Sequence, residues 1–139
     1  MEEAEMSDKS GKVVRLRLDE PARIDPVRLL QLRRELGRAG AAAFFSCRVR
    51  ALTSTLGRME ALRASEGTER QMQEFRRLGR RLSRQAGEVG LTPIARVAED
   101  VVASGTLRQD AAANAIWARL LRLGAVVLDM ETEIRRGRR

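Results

Sequence analysis

The strongest constraint on the fold is a seam. Phe45, Val49, Leu52, Leu56 and Met59 recur at steps of four, three, four and three. Ala113, Ile116, Leu120, Leu123, Val127, Met130 and Ile134 repeat the pattern over seven positions. An α-helix turns about 100° per residue, so such spacing lines one face of a helix with apolar groups. A chain carrying these seams has to bury them against other helices.

Punctuation supports the same reading. Asp25-Pro26 is a helix start, with Asp as N-cap and Pro at the first helical position. The helix that follows carries Val27, Leu29, Leu30, Leu32 and Leu36, and Gly37 and Gly40 loosen or end it. The second helix is expected over about 40–64 and stops at Ser65-Glu66-Gly67. Thr68 with Gln71 is a capping-box pattern, opening a third helix whose seam is Met72, Phe75, Gly79, Leu82, Ala86 and Val89. Gly90 ends it. Thr92-Pro93 opens a fourth, with Ile94, Val97, Ala98, Val101 and Val102 on its apolar face and Ser104-Gly105 as its stop. Thr106 with Gln109 starts the fifth.

The expected fold is therefore all-α: an antiparallel up-down four-helix bundle over 25–135, with a short capping helix at 26–36. A polar N-terminal arm spans 1–24 and a basic tail spans 136–139. Within the arm, V-V-R-L-R-L at 13–18 alternates like a strand. It has no partner within a helical domain, so it is expected to lie as an extended arm or to pair with another copy.

Composition narrows the chemistry. The 139 residues contain no His. That removes His-based metal sites, Ser-His and Cys-His dyads, and a His general base. The single cysteine, Cys47, excludes an internal disulfide and reads as a buried thiol in a reducing compartment. No phosphate-cradling glycine loop or metal spacing is present. Glu88, Glu99 and Asp100 read as solvated helix carboxylates. Ser46, Thr53, Ser54 and Thr55 lack a base and read as packing or backbone-bonding groups. No enzymatic role and no cofactor is expected. No uninterrupted apolar run reaches membrane-spanning length and the acidic start is unlike a secretory signal, so a cytoplasmic, bacterial protein without a membrane partner is expected.

The formal charge is +8, and every basic residue except Lys9 and Lys12 is arginine. On the third helix Arg76, Arg80 and Arg84 form an i, i+4, i+8 row flanked by Arg77 and Arg81. The same helix ends in R-R-L-S-R-Q-A-G-E-V-G-L over 80–91. Here the chain resembles the histidine phosphotransfer (HPt) family of bacterial phosphorelays. That family places H-x-L-K-G-x-A-x-x-h-G on one helix of a four-helix bundle. Leu82, Ala86, Val89, Gly90 and Leu91 match its packing positions. Arg80 stands where the phospho-accepting His would be, Ser83 where the Lys would be, and Arg84 where the Gly would be.

The resemblance implies a degenerate member. A phosphorelay needs a neutral imidazole nitrogen to attack an aspartyl phosphate, and a guanidinium stays protonated with no free lone pair. The expected function is a non-catalytic module of two-component signalling. Its arginine face would bind a response-regulator receiver domain or a histidine kinase. A homo-oligomeric scaffolding bundle, such as a homodimer, is one alternative. Nucleic-acid binding through the basic surface is disfavoured, because no helix-turn-helix spacing stands out and few aromatics are available for stacking.

Overall fold

The computed structural model describes residues 3–7, 13–17, 23–104 and 111–136. Among these residues four α-helices make the core: α1 (Pro26–Arg63), α2 (Glu69–Glu88), α3 (Thr92–Ser104) and α4 (Ala111–Arg135). α1 packs on α2 and α4, and α3 also packs on α2 and α4. Each helix therefore has two helical neighbours. The apolar residues they share, including Phe45, Val49, Leu52, Met59, Phe75, Leu82, Ile94, Val97, Leu120 and Leu123, form one buried cluster.

The helix boundaries follow the local chemistry. The Asp25 carboxylate accepts from the Val27 N–H at 3.0 Å, with Pro26 opening the helix. Thr68 and Gln71 satisfy each other's free backbone N–H groups in a complete capping box. α2 ends in a Schellman arrangement. Leu91 N–H donates to Ala86 O at 2.9 Å and Gly90 N–H to Gly87 O at 3.1 Å, with Gly90 at φ 74°. α1 is helical throughout except at Gly37, whose φ of 74° and ψ of 173° interrupt it. Residues 26–36 thus form an arm set off from the main shaft of α1.

That arm is pinned to the turn between α2 and α3. Ile24 bridges Leu91, Asp25 N–H donates to Gly90 O at 2.7 Å, and Arg28 Nε donates to Glu88 O at 2.8 Å. Further along α2, Gly79 lets α3 approach closely, since a Cβ there would lie 2.6 Å from Val102 Cγ2. A buried polar pair ties α1 to α2: the Thr55 hydroxyl is 2.9 Å from Gln85 Oε1 and 3.1 Å from Ala51 O.

Several expectations need correction. The strand-like stretch at 13–18 has a partner within the chain: β2 (Val13–Arg17) pairs antiparallel with β1 (Glu3–Ser7). E-A-E-M-S does alternate, but its apolar positions are only Ala4 and Met6, neither of them a β-branched or aromatic residue that would mark a strand. The register does set Glu3 opposite Arg17 and Glu5 opposite Arg15, opposite charges at paired positions. Leu18 lies outside the described residues, as do Thr106, Gln109 and the tail from 137.

On the arm of α1 only Leu32 is buried. Val27 is 63% exposed, Leu30 50% and Leu36 46%, because the arm before the Gly37 break turns only the side of Leu32 inward. Cys47 is exposed rather than buried; it follows Phe45 by two positions, about 200° around the helix. On α4, Trp117 is buried while Ile116, Met130 and Ile134 are half-buried. By length and composition alone, α4 is apolar enough to cross a bilayer. Its Ala113, Trp117, Leu120, Leu123 and Val127 are nonetheless buried against the other helices, and the core helix of a soluble protein passes the same test.

Candidate functional site

α2 divides sharply into two faces. Phe75, Leu78, Gly79, Leu82 and Ala86 are buried. Arg77, Arg80, Arg81 and Arg84 are exposed, while Arg76 is half-buried. Leu82, Ala86, Val89 and Leu91 are each fully buried, and Gly90 is buried beneath the arm of α1. Met72, expected in the same seam, is only half-buried.

The arginines gather differently from their sequence row. Arg77, Arg80, Arg81 and Arg84 together line one open space of about 440 Å³. Arg76, the first member of the i, i+4, i+8 row, is not part of it. A second groove of about 360 Å³ runs between α2 and α3 and is lined by Arg80, Ser83, Arg84, Glu99, Val102 and Ala103. Arg80 and Arg84 line both spaces. These two guanidinium groups are therefore the ones that the two spaces share.

Ser83 has a structural task. Its hydroxyl is half-buried, 3.2 Å from Ala95 O and 3.3 Å from Glu99 Oε1. A hydroxyl donates one hydrogen at a time, so it links α2 to α3 by alternating between a carbonyl and a carboxylate. Glu99 was expected only as a solvated carboxylate. Its placement across the groove from Arg80 and Arg84 comes from the α2–α3 packing, which no spacing within α3 reveals.

Not all the arginines are equally available. Arg77 donates to Glu74 through Nε at 2.9 Å and through a terminal nitrogen at 2.6 Å. Arg58 of α1 reaches the same carboxylate at 3.2 Å. The Arg77 hydrogen bonds, aided by the charges of Arg77, Arg58 and Arg81, hold the Glu74 carboxyl below its ordinary range against the opposing effect of burial. Arg77 is raised in turn by Glu74. Arg80 and Arg84 have no acidic partner within ion-pair distance among the described residues. The Glu74–Arg77 contact follows i, i+3 spacing and was legible in the sequence; the Arg58 contact crosses between helices and was not.

Such an arrangement can bind anions. Guanidinium groups offer planar, bidentate donation to carboxylates and phosphates, and Arg80, Arg81 and Arg84 have no ion-pair partner among the described residues. Among the described residues no group of three or more His, Cys, Asp or Glu side chains converges. Compared with known family models, curated proteins and solved structures, the chain has no match.

Proposed function

We propose that this chain is a non-catalytic, HPt-like interaction module of two-component signalling, docking on a receiver domain or kinase without passing phosphate. In this reading the four helices run up and down as a bundle, with the Pro26–Leu36 arm closing one end. The pairing of each helix with two neighbours, the break at Gly37 and the bonds from Asp25 and Arg28 to the α2–α3 turn support that arrangement.

One observation carries the functional reading: Arg80 and Arg84 stand uncommitted on the solvent side of α2, one helical turn apart, above the packed residues Leu82, Ala86, Val89 and Leu91. A receiver's phosphorylation pocket is a cluster of carboxylates. Two guanidinium groups at i, i+4 spacing are suited to pair with such a cluster, or with its phosphorylated form. Transfer itself lacks a nucleophile, since neither guanidinium has a lone pair to offer.

The test is titration of receiver domains, phosphorylated and not, with wild type, Arg80→Glu and the double variant Arg80→Glu/Arg84→Glu. Loss of two charge-assisted contacts is expected to weaken binding more than tenfold. Equal binding by wild type and Arg80→Glu removes Arg80 from the mechanism. Incubation with phosphorylated kinase and receiver is expected to leave this chain unlabelled; acid-labile label on it would overturn the reading of lost chemistry.

A further inference from the structure

The break at Gly37 creates a second, chemically different site. The arm of α1 before the break, the shaft after it and the last turns of α4 converge on a groove of about 230 Å³. Its apolar lining includes Leu29, Ala42, Phe45 and Ile134, and Arg33 and Arg38 also border it, one on each side of Gly37. Both arginines are exposed, and neither has an acidic partner within ion-pair distance among the described residues. Glu35 on the arm and Glu131 and Glu133 on α4 do not line the groove.

We propose that this groove binds a free single-chain amphiphilic carboxylate, its hydrocarbon tail on Phe45, Ala42 and Ile134 and its carboxylate held by Arg33 and Arg38. Charge complementarity selects the head group, since among the described residues the ionic groups bordering the groove are both cations. Size selects the tail. The space is smaller than the roughly 300–1,000 Å³ of sites for drug-sized ligands, so one unbranched chain suits it better than a ring system. Ala42 leaves the room; a larger side chain there would occupy it. The site lies on α1 and α4, with no residue in common with the arginine face of α2, and stands independently of what that face docks on.

The experiment is isothermal titration of the full chain with decanoate below its micellar concentration, beside octanoate, decylammonium and anionic vesicles. Saturable binding of one decanoate per chain is expected. Octanoate is expected to bind about fifteenfold more weakly, at about fourfold per methylene. Arg33→Ala/Arg38→Ala, both exposed positions, is expected to lower affinity at least tenfold with the circular dichroism spectrum unchanged. Ala42→Trp is expected to abolish binding by filling the groove. Absence of saturation, equal affinity for decylammonium, indifference to the arginine pair, or binding to vesicles without binding to free decanoate would each overturn the proposal.

Discussion

α2 and the Pro26–Leu36 arm of α1 both combine leucines with arginines, yet they use them in opposite ways. On α2 polarity is segregated around the helix: Leu78 and Leu82 are buried, while Arg77, Arg80, Arg81 and Arg84 face solvent. On the arm it is not. Leu32 is buried, but Val27, Leu30 and Leu36 remain largely exposed between Arg28, Arg33 and Arg34. A helix flanked by two others can hide a full apolar stripe, whereas the arm before the Gly37 break buries only Leu32. Neighbours, more than composition, decide what a leucine does here.

The largest expected effect follows from that contrast. Leu82→Ala removes a fully buried side chain from the shared core and should cost about 2–5 kcal/mol. Leu30→Ala, the same chemical change at a half-exposed position, should stay within about 0.5 kcal/mol. Urea denaturation of the two variants reads the difference directly. Comparable losses would mean that the arm is as deeply packed in solution as α2, and the comparison would fail.

The two regions also end differently. Gly90 closes α2 at φ 74°, and a Cβ there would meet Arg28 Cβ at 3.0 Å and Asp25 N and Cβ at 3.2 Å. Gly37 ends the arm at the same φ with nothing within 4 Å. Alanine at either is strained by about 1–3 kcal/mol, with Gly90 at the upper end because its neighbours are also crowded. In addition, Gly90→Ala should loosen the arm, read as faster hydrogen exchange at the Asp25 N–H, which Gly90 O normally accepts.

These contrasts explain what was legible. Segregated polarity, caps and stop signals made the four core helices, the capping box at Thr68 and the Gly90 turn readable from residue spacing, because each depends on neighbours within a few positions. The Ser83–Glu99 link, the Arg58–Glu74 contact and the Thr55–Gln85 pair join residues 16, 16 and 30 apart in sequence. Nothing local marks them. The β1–β2 ladder was missed for another reason: the alternation of Glu3–Ser7 rests on Ala4 and Met6 alone, without the β-branched residues that made Val13–Arg17 stand out. The candidate arginines were legible as a row, but which of them stay free depended on Glu74, whose second partner comes from another helix.

A polar group inside α2's buried face sharpens the division further. Gln85 is buried with Thr55 as its side-chain partner. Thr55→Val leaves the Gln85 amide short of a partner and should cost about 1–3 kcal/mol, whereas Thr55→Val/Gln85→Leu, which removes both polar groups, should recover most of the loss. A double-mutant cycle in denaturant measures this coupling. Additive effects would show that water already satisfies Gln85, and that the inner face of α2 is wetter than its burial implies.

The smallest expected effect belongs to the outer face. Glu74 has its folded carboxyl held below the ordinary range, chiefly by the Arg77 hydrogen bonds. A depressed folded value means that the folded state binds protons less readily than the unfolded chain. Its contribution is therefore fully present above the unfolded carboxylate range, and is lost as pH falls through the folded value. The Glu74 side chain is half-buried at the surface and its arginine partners are exposed, so screening keeps the effect slight. Stability of wild type and Glu74→Gln, compared by thermal melting from pH 7 to pH 3, should converge as the pH drops. Raising salt at pH 7 should narrow the same gap. Should the gap instead widen in acid, Glu74 would be stabilising the fold in its protonated form. The ordered division of α2 into a packed face and a charged one would then need a different account of what holds Arg77 in place.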